Sequence, residues 1–171
     1  LSSFIGLLVF FKARLRKNSC IIFLIAYIIS NLIYVDFTIL TTALAGYGFD
    51  WTHRSMAFCR LRMYISFAFS TIPSYLLVMA SWDRMCISSA NIRIRSMANH
   101  RFSILSVLVI CIFWSLFHIH AIFGADIIPL SSTRVTCNTR PGTMTTFVTY
   151  YTLIFDGFVP LVLMIIFGTR T

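Results

Sequence analysis

A cysteine and an acidic–basic pair, held at a fixed spacing, are the residues of this sequence best suited to chemistry. Cys59 and Arg84 lie 25 positions apart in one apolar stretch, and Asp83 directly precedes Arg84. A helix rises about 38 Å over that distance, slightly more than the roughly 30 Å hydrocarbon core of a bilayer. The spacing therefore predicts Cys59 at one membrane face and the Asp83-Arg84 pair at the other. A switch and a static interfacial ion pair are both open interpretations of that pair.

The helix that must hold these residues has two different sides. At about 100° per residue, a polar stripe separates from an apolar side. We expect the polar stripe to face other helices or a water-filled cavity, although serine also simply helps membrane helices to pack. The stripe holds Cys59, Ser66, Ser70, Leu77, Ser81 and Arg84, and the opposite side holds Ile65, Ile72, Leu76 and Met79.

Stretches with few or no charged residues define the predicted elements. An apolar helix needs about 20 residues to cross a bilayer. Four stretches are long enough, and a shorter one at the start of the chain is interpreted as the end of a further helix. We expect one all-α transmembrane domain over residues 1–171, with helices α1 at about 1–12, α2 at 20–47, α3 at 57–87, α4 at 102–124 and α5 at 143–169. Between α4 and α5 we expect a loop, with Pro129, Pro141 and Gly142 as turn-forming residues.

The composition favours a bilayer as the solvent of this chain. Hydrophobic residues make up 58% of it and charged residues 11%, whereas a soluble domain carries about 25% charged residues. The net charge is +9, but the basic residues form short clusters between apolar runs, which argues against nucleic acid as a partner. Hydrolase motifs such as H-E-x-x-H and G-x-S-x-G do not occur, so we expect no enzyme, metal or cofactor.

The distribution of Lys and Arg predicts the orientation, because cytoplasmic loops are richer in them. The loops after α1 and α3, together with Arg84 and Arg170, hold nine basic residues, and the other side holds five. We therefore expect the Arg84 end inside the cell and the missing N-terminus outside. The expected location is the plasma membrane, with several spans and with the basic loops in contact with anionic lipid.

The five cysteines contain no C-x-x-C pair, which argues against zinc. Cys137 lies in the loop between α4 and α5, on the predicted side of Cys59, so these two can form a disulfide in an oxidising exterior. The other three, Cys20, Cys86 and Cys111, lie in or near spans or at the cytoplasmic edge, and we expect them to stay reduced.

These residues together resemble the rhodopsin-like (class A) G-protein-coupled receptors. The run 81–85, Ser-Trp-Asp-Arg-Met, is similar to the Asp/Glu-Arg-Tyr motif that ends the third helix of that family, with Met85 in place of the aromatic residue. In the family, a cysteine 25 positions before the Arg is bonded to a cysteine of the second extracellular loop. Cys59 and Cys137 match those two positions.

Further landmarks extend the resemblance over nearly the whole chain. Trp114 resembles the fourth-helix Trp of the family, Pro160 its fifth-helix Pro, and the run 17–20 its first intracellular loop. Asn31 stands near the position of the second-helix Asp that binds sodium in the family. An amide at that position removes the carboxylate that favours sodium.

The resemblance implies a fold and a function. The fold is a seven-helix bundle, of which this chain holds a partial first helix through the fifth. The function is to transmit the binding of an extracellular ligand to a heterotrimeric G-protein by helix rearrangement. In related receptors the Arg that matches Arg84 is restrained by its neighbouring acid at rest and helps to receive the G-protein on activation.

A peptide is the ligand class that the outer half of the bundle favours. Many receptors for small amines carry an Asp shortly after the third-helix Cys, and here that region has no acid. Arg62 and the basic outer loops suit a peptide with acidic groups or a C-terminal carboxylate. The candidate pocket residues are Arg62, Ser66, Phe67, Ser70 and Asp156.

Asp156 is an ionisable group inside a predicted span, which is itself a sign of function. It lies four residues before Pro160, whose missing N–H predicts a kink or bulge at the carbonyl of Asp156. One hypothesis has Asp156 facing the ligand cavity or pairing with Arg62 or a ligand cation. The other has a protonated or internally bonded Asp near the outer interface.

The main alternative to a receptor is a piece of a multi-span transporter or channel. Such a protein would have broken helices at the membrane midplane, or charged residues lining several spans. Of the acidic residues, Asp36 and Asp156 lie inside spans away from the predicted membrane edges, whereas Asp83 is expected at an edge. No duplicated segment supports the alternative.

Overall fold

The computed structural model of the chain describes residues 19–47, 55–131 and 134–170. The predicted α1 lies outside these residues. Each of the segments predicted as α2 to α5 is helical, which confirms the mostly helical, membrane-type character expected of the chain. The helices long and apolar enough to cross a bilayer are α2 over Ser19–Leu44, α3 over Met56–Ser88, α4 over His100–Gly124 and α5 over Thr143–Thr169.

The outer faces of α4 and α5 are covered with large apolar side chains. Leu105 and Leu116 of α4 are 60% and 62% exposed, and Leu153 and Phe158 of α5 are 69% and 65% exposed. In water such a surface would be a large apolar patch of the kind that soluble monomers avoid. In a bilayer the same surface is solvated by lipid, so these faces are assigned to the hydrocarbon.

Two of the spans contain a wider, π-helical turn. In α2, the turn Val35–Ile39 separates the α-helix Ser19–Tyr34 from the α-helix Leu40–Gly46. No proline lies in or beside this turn, and the sequence did not predict it. Such single-turn bulges inside α-helices are frequent at functional sites.

The wider turn of α5 has a cause that is visible in the sequence. The π-helix Thr152–Phe158 joins the α-helices Thr143–Tyr151 and Val159–Thr169. Pro160 has no N–H to donate to the carbonyl oxygen of Asp156, four residues earlier. The bulge expected next to Pro160 is therefore present.

α3 lies at the centre of the described bundle. Its side chains Ile72, Leu76 and Ala80 pack against Phe23 of α2 and Trp114 of α4. Ile72 and Leu76 belong to the side opposite the polar stripe, yet they are 1% and 0% exposed. Both sides of α3 therefore contact neighbouring helices, the apolar side through this core and the polar stripe through Ser66, which lies 3.1 Å from Thr38 of α2.

A short helix, Ile92–Met97, connects α3 to α4. The side-chain oxygens of Asn91 and Asn99 accept hydrogen bonds from backbone N–H groups at the start of the short helix and of α4. Such caps satisfy N–H groups that have no partner within a helix. α4 itself consists of His100–Phe117 and His120–Gly124, separated by a break of two residues.

The segment between α4 and α5 forms a β-hairpin rather than the irregular loop expected from its turn-forming residues. Strand β1, Ala125–Ser131, pairs antiparallel with β2, Arg134–Thr139. Pro129 lies within β1, next to an irregularity in the register, as is usual for proline in an edge strand. Gly142 does act as a turn residue, with φ of +118° immediately before α5.

Candidate functional site

Cys59 and Cys137 join the start of α3 to the hairpin. Their Cα atoms lie 5.7 Å apart although 78 positions separate them in sequence, which is disulfide distance. Both residues are buried together with Ala125 of β1. The predicted cysteine pair is thus brought together, and the described cysteines Cys20, Cys86 and Cys111 are free.

An ion pair closes the base of the same hairpin. The Nη2 and Nε atoms of Arg140 donate to Oδ2 of Asp126 at 3.0 and 3.3 Å. The hydrogen bond from Arg140, followed by that from the backbone N–H of Ile127, holds the pKa of Asp126 below its ordinary value of 3.8. The carboxylate is therefore ionised at physiological pH and the ion pair joins the two ends of the hairpin, while the disulfide holds the hairpin to the Cys59 end of the bundle.

Two of the predicted pocket residues, Arg62 and Ser66, contact α2 near this end. The Nη2 atom of Arg62 donates to Oγ1 of Thr42 at 2.7 Å. The hydroxyl oxygens of Ser66 and Thr38 lie 3.1 Å apart. These two bonds join α3 to residues 38–42 of α2, a stretch that begins within the π-helical turn.

The other predicted pocket residues lie deeper, between α3, α4 and α5. The ring of Phe67 stacks on His118, with centroids 6.4 Å apart and planes 10° apart. Ser70 donates to the carbonyl oxygen of Phe67 at 2.9 Å. Oδ1 of Asp156 accepts a hydrogen bond from Oγ1 of Thr71 at 2.7 Å. The five candidates are thus divided between two levels of the bundle.

The hypothesis that Asp156 pairs with Arg62 is wrong for this conformation. Arg62 bonds Thr42 and Asp156 bonds Thr71. Arg62 and Thr71 are nine positions apart on α3, which corresponds to about 13 Å along a helix. The carboxyl group of Asp156 is internally bonded, as in the other hypothesis, and its role in a ligand cavity stays a prediction.

Thr71 and His118 belong to this deeper level, although neither is among the site residues predicted from the sequence. Both side chains are completely buried, and Nε2 of His118 lies 3.3 Å from Oγ1 of Thr71. One feature of the sequence could have pointed to each of these two residues, namely its spacing from a residue already named. His118 follows Trp114 by four positions and Thr71 follows Phe67 by four, so each shares a helix face with a residue already singled out.

At the opposite end of α3, Asp83 and Arg84 point in different directions. Asp83 is completely buried. Ser19 of α2 is the polar side chain facing it, but neither carboxylate oxygen has a hydrogen-bond partner among the described residues. Beside Asp83, the hydroxyl groups of Ser19 and Ser103 form a hydrogen bond with each other. Asp83 is thus directed into the interface of α2, α3 and α4.

Arg84 lies on the exposed side of α3. Its Nε atom donates to Sγ of Cys20, at the start of α2, at 3.5 Å. No ion pair joins Arg84 to Asp83 in the part of the chain that the structure describes. The next residue, Met85, is partly buried. The guanidinium group is therefore accessible to a partner from the Arg84 end.

The three helix landmarks occupy different surroundings. Trp114 is buried in the main core, and its ring lies 4.6 Å from that of Tyr75. Pro160 is buried at the end of the wider turn of α5. Asn31 is partly buried, and its Nδ2 donates to the carbonyl oxygen of Tyr27 within α2 at 3.0 Å.

Comparison with models of known protein families finds none that matches this chain, and comparison with curated proteins finds no similar sequence. The functional argument therefore depends on the residues and contacts described above.

Proposed function

We propose that this chain is the larger part of a rhodopsin-like G-protein-coupled receptor that transmits the binding of an extracellular peptide to an intracellular heterotrimeric G-protein. One observation carries the proposal. A single 33-residue helix, α3, is bonded through Cys59 to a hairpin at one end and presents Asp83 and Arg84 at the other. A helix of that length can couple events on the two sides of a bilayer.

The contacts at the Cys59 end support a ligand-binding role there. The hairpin is fixed to this end by the bond of Cys137 to Cys59, and its own base is closed by the Asp126–Arg140 ion pair. Arg62 lies on α3 beneath it, with its guanidinium group partly exposed. A peptide carboxylate is the group that a guanidinium binds best, through paired N–H donors.

The contacts at the Arg84 end support coupling to a G-protein. Arg84 is exposed and held by a weak hydrogen bond to a thiol, so a partner can displace that bond at small cost. Asp83 next to it is buried and does not neutralise it. A free cation at a membrane edge suits the carbonyl-rich C-terminal end of a partner helix.

The proposal is tested with the full-length protein in cells that report activation of each class of heterotrimeric G-protein. A library of peptides with free and amidated C-termini is applied to the wild type, to Arg84→Ala and to Arg101→Ala, an exposed arginine on α4 at the same end. We expect at least one peptide to activate the wild type and Arg101→Ala, but not Arg84→Ala at equal surface expression. Solute or ion flux without G-protein activation would instead support the transporter or channel alternative and overturn the proposal.

A further inference from the structure

Three polar side chains from three different spans form a continuous line in the middle of the bundle. Oγ1 of Thr71, on α3, lies 2.7 Å from Oδ1 of Asp156 on α5 and 3.3 Å from Nε2 of His118 on α4. Thr71 and His118 are completely buried, and Asp156 is partly buried. Two ionisable groups are thus joined through one hydroxyl group inside the membrane.

The contact of Nδ1, the other ring nitrogen of His118, determines where one hydrogen of the ring lies. Nδ1 of His118 lies 2.8 Å from the carbonyl oxygen of Trp114. A carbonyl group only accepts hydrogen bonds, so Nδ1 must carry a hydrogen. Nε2 then accepts from Thr71 if the ring is neutral, and donates to Thr71 if the ring is a cation.

The hydroxyl group of Thr71 has a single proton to donate, and the carbonyl oxygen of Phe67, 3.0 Å from Oγ1 within α3, is a further acceptor for it. If Asp156 is ionised, it needs that proton, and Nε2 of His118 must then carry a hydrogen of its own. If His118 is neutral, it needs the proton of Thr71, and Asp156 must then be protonated. With Asp156 ionised and His118 neutral, one of the two contacts would contain no hydrogen and would be repulsive. Both contacts can therefore be formed only if Asp156 and His118 together carry at least one proton more than an ionised carboxylate and a neutral imidazole do.

The surroundings of the two groups limit the number of these additional protons to one. A second proton would leave a positive charge without a partner in a low-dielectric interior, which is costly. The other titratable groups facing the line are Tyr75 of α3, Tyr151 of α5 and His120 of α4. Tyr75 already donates to the carbonyl oxygen of Phe155 at 3.0 Å. The rings of Tyr151 and His120 lie within 6 Å of the His118 ring, and neither supplies a countercharge at neutral pH.

We propose that Asp156, Thr71 and His118 form a proton-binding site that holds one proton between α3, α4 and α5. Loss of that proton removes the hydrogen from one of the two contacts, so Thr71 then no longer bonds α3 to both α4 and α5. The site sits in the π-helical turn of α5, next to Pro160, where the backbone has the least regular support. This proton site does not depend on the receptor proposal and would serve a receptor or a transporter.

The test counts protons on the two end groups in the full-length protein in lipid nanodiscs at neutral pH. Infrared spectroscopy detects a protonated carboxyl group as a C=O band that shifts in D₂O, and Asp156→Asn assigns it. Nitrogen NMR of labelled histidine reports whether His118 carries one or two ring hydrogens, and His118→Asn assigns the signal. Asp36→Asn, which removes an exposed carboxyl group of α2, is the matched control for the infrared band.

Exactly one proton is expected, either on Asp156 with a neutral His118 or on His118 with an ionised Asp156. An ionised Asp156 beside a neutral His118 would overturn the proposal, as would two protonated groups. Thr71→Ser keeps the hydroxyl group and should preserve the wild-type spectra. Thr71→Val removes it and should change the signals of both end groups, and unchanged signals in Thr71→Val would also contradict a shared proton.

Discussion

The Oη atom of Tyr75 lies 3.0 Å from the backbone carbonyl oxygen of Phe155 and joins α3 to the π-helical turn of α5. The hydroxyl group reaches α5 at the point where the hydrogen-bond pattern of the helix widens. The ring of Tyr75 also packs on Trp114 of α4. Tyr75 of the central helix α3 therefore contacts both α4 and α5.

Tyr75→Phe should lower the free energy of unfolding by about 1 kcal/mol, the typical net value of one hydrogen bond. The ring and its contact with Trp114 are kept, so the change isolates the hydroxyl group. Tyr150→Phe is the matched control, because Tyr150 is 64% exposed on α5. Equilibrium unfolding in mixed micelles measures both variants. Equal stability of the two would show that the bond to Phe155 contributes nothing.

Cys59→Ser and Cys137→Ser should each lower the free energy of unfolding, and the double variant should be no less stable than either single one. The bond closes a loop of 78 positions, and loss of a native disulfide commonly costs about 2–4 kcal/mol. Cys111→Ser, which removes a free thiol, should have a small effect. Peptide mapping without reducing agent would contradict the assignment if it found Cys59 paired with another cysteine.

Arg140→Ala should raise the pKa of Asp126 toward its ordinary value of 3.8, because Arg140 is the largest cause of its lowering. A carboxyl group with a lowered pKa in the folded state stabilises the fold above its unfolded pKa. That stabilisation is lost as the pH falls through the lowered value. In the wild type the loss therefore occurs below about pH 4, and in Arg140→Ala most of it should disappear. A carboxyl-carbon NMR titration measures the pKa in both proteins, and identical titration curves would exclude the ion pair.

Asp83→Asn should not reduce stability, because neither oxygen of the buried carboxyl group has a partner among the described residues. Burying a carboxyl group without a hydrogen-bond partner costs free energy, so its replacement by an amide of the same shape should be neutral or stabilising. Asn99→Ala is the contrasting variant, since it removes a formed cap bond to the N–H of Phe102 and should cost about 1 kcal/mol. A larger loss in Asp83→Asn than in Asn99→Ala, measured by thermal unfolding, would indicate that Asp83 has a strong partner.

The helices and the disulfide pair could be predicted because each depends on features that can be recognised along the sequence alone. The length of an apolar run identifies a span, and Pro160 by itself removes the hydrogen bond that causes the bulge of α5. The cysteine pair followed from the side of the membrane on which Cys59 and Cys137 were placed. Nothing comparable marks the π-helical turn Val35–Ile39, which lies in a run without proline.

The contacts between helices could not be predicted in the same way. Arg62 and Thr71 lie on nearly opposite sides of α3, and the position of α5 around that helix and along it decides which of them meets Asp156. The hairpin was also missed, because Pro129 within β1 suggested a turn. An edge strand has an unpaired side, where a missing N–H costs little.

The most direct test of the receptor proposal is guanine-nucleotide exchange on purified heterotrimeric G-proteins, one class at a time. The full-length protein is reconstituted in lipid nanodiscs, and release of bound nucleotide is measured for the wild type, Arg84→Ala and Arg101→Ala. We predict that the wild type and Arg101→Ala accelerate release from at least one class, and that Arg84→Ala, folded and at equal concentration, does not. Release at the spontaneous rate from every class, with and without the peptide library, would contradict the proposal.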